Sequence, residues 1–363
     1  MADRERNLMT EPGMPRGGVD PDPSALPTPA QAPLTVASSQ PGTITADVAP
    51  PVSGGDVSSF GGGKRRVGDK VFATVASGAS GLIVAVVVLV AAFLIARSWN
   101  SIAHNNASFL FSHAWSTSVN DLRFGVAGLL WTTVLSAVIA LVIAVPVAVG
   151  VALFITQYAP HRLARPVAHV IDLLAAIPSI IYGVWGVSVL APHLTPVVRV
   201  LSNIGLGLFD KKFETRNVFN AGVVLAIMIL PVITAISRDV FERTPRQNIE
   251  AAWALGATRW EMIRLAVLPY GRPGVISGAM LGMGRALGET IAVMMILGKV
   301  SGFSFSMFDG GETFASKIAN SAAEFSTPLT TGAYLAAGLV LFVLTFVVNA
   351  LARWIVNRRK DFA

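Results

Sequence analysis

EAAWALGATRWEMIRLAVLP, running from Glu250 to Pro269, is a polar stretch set between two long apolar runs. Arg246 to Leu255 has the composition of a short helix, and Glu250, Ala251 and Ala252 give it a slim face. Gly256 is placed to stop it, because glycine takes a left-handed backbone without strain. A second helical stretch is predicted from Thr258 to Val267, ending at Pro269. Small side chains let such a helix enter a partner's groove closely, while Glu250 and Arg259 can fix register through charge-assisted hydrogen bonds. The competing reading is an amphipathic helix that rests on lipid. The pattern points to a docking handle and away from an enzyme.

The apolar runs on either side set the class. The chain has 363 residues, of which 53% are hydrophobic and only 13% charged, well outside the range of soluble domains. A hydrocarbon core of about 30 Å asks for roughly 20 apolar residues per helix. About six segments meet that demand: Val71 to Ala96, Val126 to Ile155, Val167 to Leu190, Ala221 to Ile236, Val275 to Leu297 and Ala333 to Val356. With the N-terminus inside, the cytoplasmic flanks carry sixteen Lys and Arg residues, from Lys64, Arg65 and Arg66 through Arg238, Arg243 and Arg246 to Lys360, against eight on the outer loops. Basic residues are retained on the cytoplasmic side of short loops, so both termini and the Glu250 segment are expected inside. The net charge of +7 then needs no nucleic acid to explain it. With no cysteine, disulfides, thiolate ligands and thiol nucleophiles are excluded. The opening MADRERN and the late first apolar run do not resemble a cleaved signal peptide.

Residues 1–63, rich in Pro, Gly and Ala, cannot bury a core and read as a disordered cytoplasmic tail. Residues 64–124 then hold the first transmembrane helix and an outer loop, and 125–360 the core transmembrane domain, with the polar Glu250 loop at 243–270. The outer loops are too short for an independent receptor domain.

Charge inside an apolar helix is the second informative feature. In GRALGETIAV, Arg285 and Glu289 are expected one turn apart on one face, with Thr290 beside them. Charged groups at this depth are expensive unless they face a wet cavity or a partner. Two readings stay open: an i, i+4 ion pair that locks the bundle, or an arginine fork that meets a transported oxyanion while Glu289 orients it. Gly274, Gly278 and Gly282, with Gly284 and Gly288 as a second set, allow two faces of this helix to approach neighbours closely. Thr133 and Ser136 of the second helix are further candidate path residues, as is Ser179, where Pro178 interrupts the third helix and can free backbone groups to line a cavity; each is equally able to back-bond within its own helix. Asp172 reads as a structural acid, and Pro146 and Pro231 as kinks.

Glu250, Ala251, Ala252, Gly256, Leu268 and Pro269 resemble the EAA motif of importer permeases in the ABC transporter superfamily, with Ala266 in place of the usual isoleucine. Together with GRALGETIAV, LAAIPSIIYGVWG (174–186) and AVPVAVGVALFITQYAP (144–160), the chain is similar to the C-type permease subunits of bacterial phosphate-specific transport systems. That resemblance implies an all-α integral membrane protein of the type I importer permease fold in the bacterial inner membrane. It also implies four kinds of partner besides membrane lipid: inorganic phosphate, a related A-type permease, a cytoplasmic ATPase dimer and an extracytoplasmic phosphate-binding protein. Glu250, Ala251, Ala252, Gly256 and Arg259 would couple to the ATPase, and Arg285 would belong to the phosphate path. A permease for sulfate or molybdate is an alternative, as is a membrane signalling component that reports phosphate status. No G-x-x-x-x-G-K-[ST] loop, nucleophile elbow or paired metal spacing is present in the sequence. The expectation is a non-catalytic subunit without cofactor or metal, with ATP hydrolysis on another chain.

Overall fold

In the computed structural model the described residues are 67–118, 121–203, 214–298 and 303–358. The proposed tail, 1–63, lies outside them. The chain divides into two units, Met1–Asp69 and Lys70–Ala363, and the architecture below is that of the second.

The elements follow in order α1 (Val67–Ala103), a small hairpin of β1 (Trp115–Ser118) and β2 (Asp121–Phe124), α2 (Ala127–Leu153), α3 (His161–Ala176), α4 (Ser179–Trp185), α5 (Ala191–Asn203), α6 (Val218–Glu242), α7 (Arg246–Ala254), α8 (Arg259–Met262), α9 (Leu268–Gly288), α10 (Ile291–Ile296), α11 (Phe314–Asn320) and α12 (Pro328–Arg358). Three π-helical turns join neighbours without a break: 154–158 extends α2, 186–190 joins α4 to α5, and 263–267 joins α8 to α9.

Five helices among the described residues are long and apolar enough to cross a bilayer: Lys70–Ala103, Ala127–Tyr158, Ser179–Asn203, Val218–Glu242 and Pro328–Trp354. Each overlaps one of the expected segments, and the remaining expected segment, Val275 to Leu297, falls on α9 and α10. The span placed at Val167 to Leu190 begins instead at Ser179, because Ile177 and Pro178 take extended backbone and end α3. A proline disfavours helical backbone in the residue before it, which explains a break at Ile177. The segment from Val275 to Leu297 is likewise divided, since α9 stops at Gly288 and α10 starts afresh.

Helix α6 lies at the centre. Most of its apolar window is buried, whereas none of that of α1 is. In a bilayer, lipid tails solvate apolar side chains as well as a neighbouring helix does, so close packing rather than burial from water holds helices together. The contacts here are built for closeness. Ala137, Ala140, Ala144 and Ala148 form a buried stripe on α2 that joins one apolar cluster with Leu225, Ile229 and Ile233 of α6. On the other side, Cβ atoms added at Gly271, Gly274 and Gly282 of α9 would come within 2.3 Å of Phe241, 2.3 Å of Val240 and 3.1 Å of Ile233. The glycine stripe therefore seats α9 on α6. Gly284 and Gly288 are different, with open space where a side chain would go.

The expected stop at Pro269 does not occur. Helix α8, the π turn and α9 run on without interruption from Arg259 to Gly288. The Leu268 N–H reaches back five residues to the Ile263 carbonyl, so the ladder is already shifted when it arrives at a proline that has no N–H to give.

Candidate functional site

Two places on the second unit carry the polar chemistry, and the continuous helix from Arg259 to Gly288 connects them.

The first is the corner between α7 and α8. Gly256 has φ +78°, in the left-handed region. Its N–H donates to the Trp253 carbonyl at 2.9 Å and the Ala257 N–H to the Ala252 carbonyl at 3.1 Å, which together close α7 with a Schellman motif. One residue later Thr258 opens α8 with a capping box: the Thr258 N–H donates to Glu261 Oε2 at 2.8 Å, and the Glu261 N–H donates to Thr258 Oγ1 at 3.4 Å. The turn is thus fixed from both sides by local bonds. Glu250, Ala251, Gly256 and Arg259 are exposed on it, while Ala252 turns inward against Phe241, Met262 and Ile263. Ala252 therefore anchors the corner from within. Three residues that the sequence reading did not single out are exposed here: Trp253, Leu255, 89% exposed, and Trp260. Arg259 stands 5.6 Å over the Tyr158 ring, at the end of the helix that α2 begins.

The second place is where two helices break side by side. A Cβ on Gly183 would lie 2.9 Å from Ala292 Cα, and one on Gly186 would lie 2.9 Å from Ile296 Cδ1. This contact packs α4, which Ser179 opens, against α10, which follows Glu289. Arg285 sits in the last turn of α9, where the helix dipole favours a cation. Glu289 sits just before α10, where the dipole favours an anion, and its Oε1 accepts from the Ala292 N–H at 3.3 Å. The expected i, i+4 geometry is absent because Glu289 is already extended, with ψ 126°. No ion pair between Arg285 and Glu289 occurs among the described residues. Thr290 donates to the Gly288 carbonyl at 3.2 Å.

Arg285 is exposed on a face it shares with Gly284, Gly288 and Leu281, which the described residues leave uncovered. Tyr182, not anticipated from sequence, is buried beside the crossing. Its hydroxyl donates to the Leu174 carbonyl across the α3–α4 break at 2.9 Å. Arg216 also escaped notice: its guanidinium donates to the Met295 and Ile296 carbonyls and closes the end of α10. Nothing local in sequence distinguishes Arg216, whose partners lie far along the chain.

Thr133 and Ser136 are elsewhere. Both are buried on the first turns of α2, where Thr133 donates to the Leu129 carbonyl at 2.6 Å and accepts from the Phe314 N–H at 3.2 Å. Ser136 donates to the Thr133 carbonyl at 3.1 Å. Arg285, Glu289 and Thr290 follow one another at the α9–α10 break, Ser179 opens the helix that packs on α10, and Thr133 and Ser136 bond within α2 and to the start of α11.

The profile of the binding-protein-dependent transport system inner membrane component family matches residues 133–361. The "Phosphate transport system permease protein PstC 2" of Mycobacterium tuberculosis is 53% identical over 304 residues, covering 82% of this chain and 94% of that one. The "Phosphate transport system permease protein PstC" of Mesorhizobium japonicum is 40% identical over 297 residues, covering 80% and 90%. A solved structure of the MetNI methionine ABC transporter in an inward-facing conformation aligns with a TM-score of 0.46 and 19% identity, over 64% of this chain and 94% of the other.

Proposed function

This chain belongs to the family of binding-protein-dependent transport system inner membrane components, and from that premise we propose that it is the C-type permease subunit of an ATP-driven phosphate importer. It is a multi-pass membrane protein of helical architecture. In this reading both termini face the cytoplasm of a bacterial cell, the α7–α8 corner seats in a cytoplasmic ATPase dimer, and an extracytoplasmic phosphate-binding protein delivers the solute. The chain itself carries no catalysis.

The observation that carries the reading is the uninterrupted helix from Arg259 to Gly288. At about 1.5 Å per residue it places Arg285 roughly 39 Å from the corner on one rigid element. Movement imposed on Trp253, Leu255 and Trp260 by a closing ATPase is transmitted along it to the guanidinium. The uncovered face of Leu281, Gly284, Arg285 and Gly288 turns toward a related A-type permease, and the two chains enclose the path. As phosphate sheds water there, the arginine fork supplies paired donors, and Glu289, committed to the start of α10, keeps the facing backbone in place. Ser179 and Thr290 offer further hydroxyls. Binding must stay weak enough for release.

Radiolabelled phosphate uptake by the reconstituted complex tests this. Arg285→Ala is expected to lower uptake roughly 10- to 100-fold, the range for a lost charged hydrogen bond, with assembly intact and no competition by sulfate in the parent. Parental uptake by both Arg285→Ala and Arg285→Lys would remove Arg285 from the path.

A further inference from the structure

A third polar place lies at the end of α6, where that helix hands over to α7. A cavity of about 790 Å3 opens there between α3, the end of α6 and the start of α7. Arg165 from α3, Arg238 from α6 and Arg246 from α7 line it, together with Thr244 in the short link between α6 and α7. Two carboxylates also face it, Asp172 and Glu242, the latter 4.0 Å from the Arg238 guanidinium in an i, i+4 pair.

Thr244 is the telling residue. It is 6% exposed, lines this cavity, and its hydroxyl has no hydrogen-bond partner. A buried hydroxyl without a partner costs about 1–3 kcal/mol, and nearly all such groups in folded proteins are satisfied. Helix α7, nine residues long, begins at the same wall with Pro245 at its N-cap, no side-chain cap and no acidic residue in its first turn. Free amides at a helix start favour an anion. Three guanidiniums drawn from three helices, one unspent hydroxyl and one uncapped helix start have a single chemistry in common.

The geometry points to a cytoplasmic-face oxyanion site at the α6–α7 junction that takes a phosphate group, held by Arg165, Arg246 and Thr244, and that restrains the coupling corner when filled. The phosphate is either free inorganic phosphate, the delivered solute returning as a brake on its own import, or the headgroup of an anionic lipid. The inference rests on the orientation proposed above, with α7 inside. It adds a second anion site far from Arg285.

Hydrogen exchange across residues 237–254 tests it. The full importer complex is placed in discs of phosphatidylcholine alone, with and without inorganic phosphate, and in discs containing phosphatidylglycerol. At ten times the dissociation constant, opening should be suppressed about tenfold. Protection by phosphate in phosphatidylcholine, lost in Arg165→Gln with Arg246→Gln, establishes a free-phosphate site. Protection by phosphatidylglycerol alone, lost in the same variant, establishes a headgroup site. Both arginines are exposed, so the substitutions do not threaten the fold, and Thr244→Val, which keeps the buried shape, should weaken protection as well. No protection in the parent, or protection that survives the double substitution or disappears in Arg285→Ala, overturns the proposal. Labelling of Asn248→Cys from outside the cell would instead sink the orientation and leave the binding result standing.

Discussion

Glycines along α9 separate packing from openness one residue at a time. At Gly274 a methyl group would sit 2.3 Å from Val240 Cγ2, against a branched side chain on the central helix. Gly274→Ala must therefore push α9 off α6. A cost of about 1–3 kcal/mol is expected, as for overpacking elsewhere, read as a lower unfolding temperature of the purified subunit. Gly284 presents nothing within 4 Å. Gly284→Ala should leave the isolated subunit unharmed or gain up to about 1 kcal/mol of helix propensity. If the same variant fails to co-purify with the related permease, the open face is the one that the second chain covers. Equal destabilisation by both variants in the isolated subunit would show that the two stripes do not differ as described. The sequence holds both sets of glycines at similar spacing, and no local feature says which one is filled.

Helix ends are where local chemistry was most readable. Gly256 and the helix start at Thr258 mark the corner from sequence alone, because a left-handed cap depends on residues within a few positions of each other, whereas the capping box with Glu261 went unread. Pro178 announced a break in its helix, although hydropathy alone does not; Glu289 was harder. Both breaks replace what hydropathy reads as continuous spans, and the second needs α4 beside α10 to stabilise a restart that intrinsic propensity does not demand. Pro269 misled for the opposite reason, since a π turn ahead of it lets the helix continue. The capping box also gives this corner an acid sensitivity. The Thr258 N–H and then its hydroxyl hold the Glu261 carboxyl below the ordinary carboxylate range. A folded pKa below the unfolded one means that the cap contributes fully above the unfolded value, about 4.3, and is lost as pH falls through the folded one. Amide protection factors at Glu261 and Met262 should fall in that acid window while those of α6 hold. Glu261→Gln, which keeps the reciprocal bonding without a titrating proton, should flatten the profile. A parental profile in the Gln variant would assign the change to another group.

Across the whole chain, direction matters more than any single contact. Proposed coupling at the α7–α8 corner, the anion site at the α6–α7 junction and the excess of basic residues on one set of flanks all require that corner to face the cytoplasm. An inverted chain would keep every packing contact described here and turn the corner away from the proposed cytoplasmic ATPases. The absence of cysteine makes the point directly measurable. Asn248→Cys on exposed α7 and His113→Cys on the exposed loop before β1 each introduce one thiol into a chain that has none. A membrane-impermeant maleimide should label position 113 in intact spheroplasts and position 248 only in inside-out vesicles. The reverse pattern would place the α7–α8 corner outside, where no ATP-hydrolysing subunit could reach it, and the permease reading would then have to find its energy elsewhere.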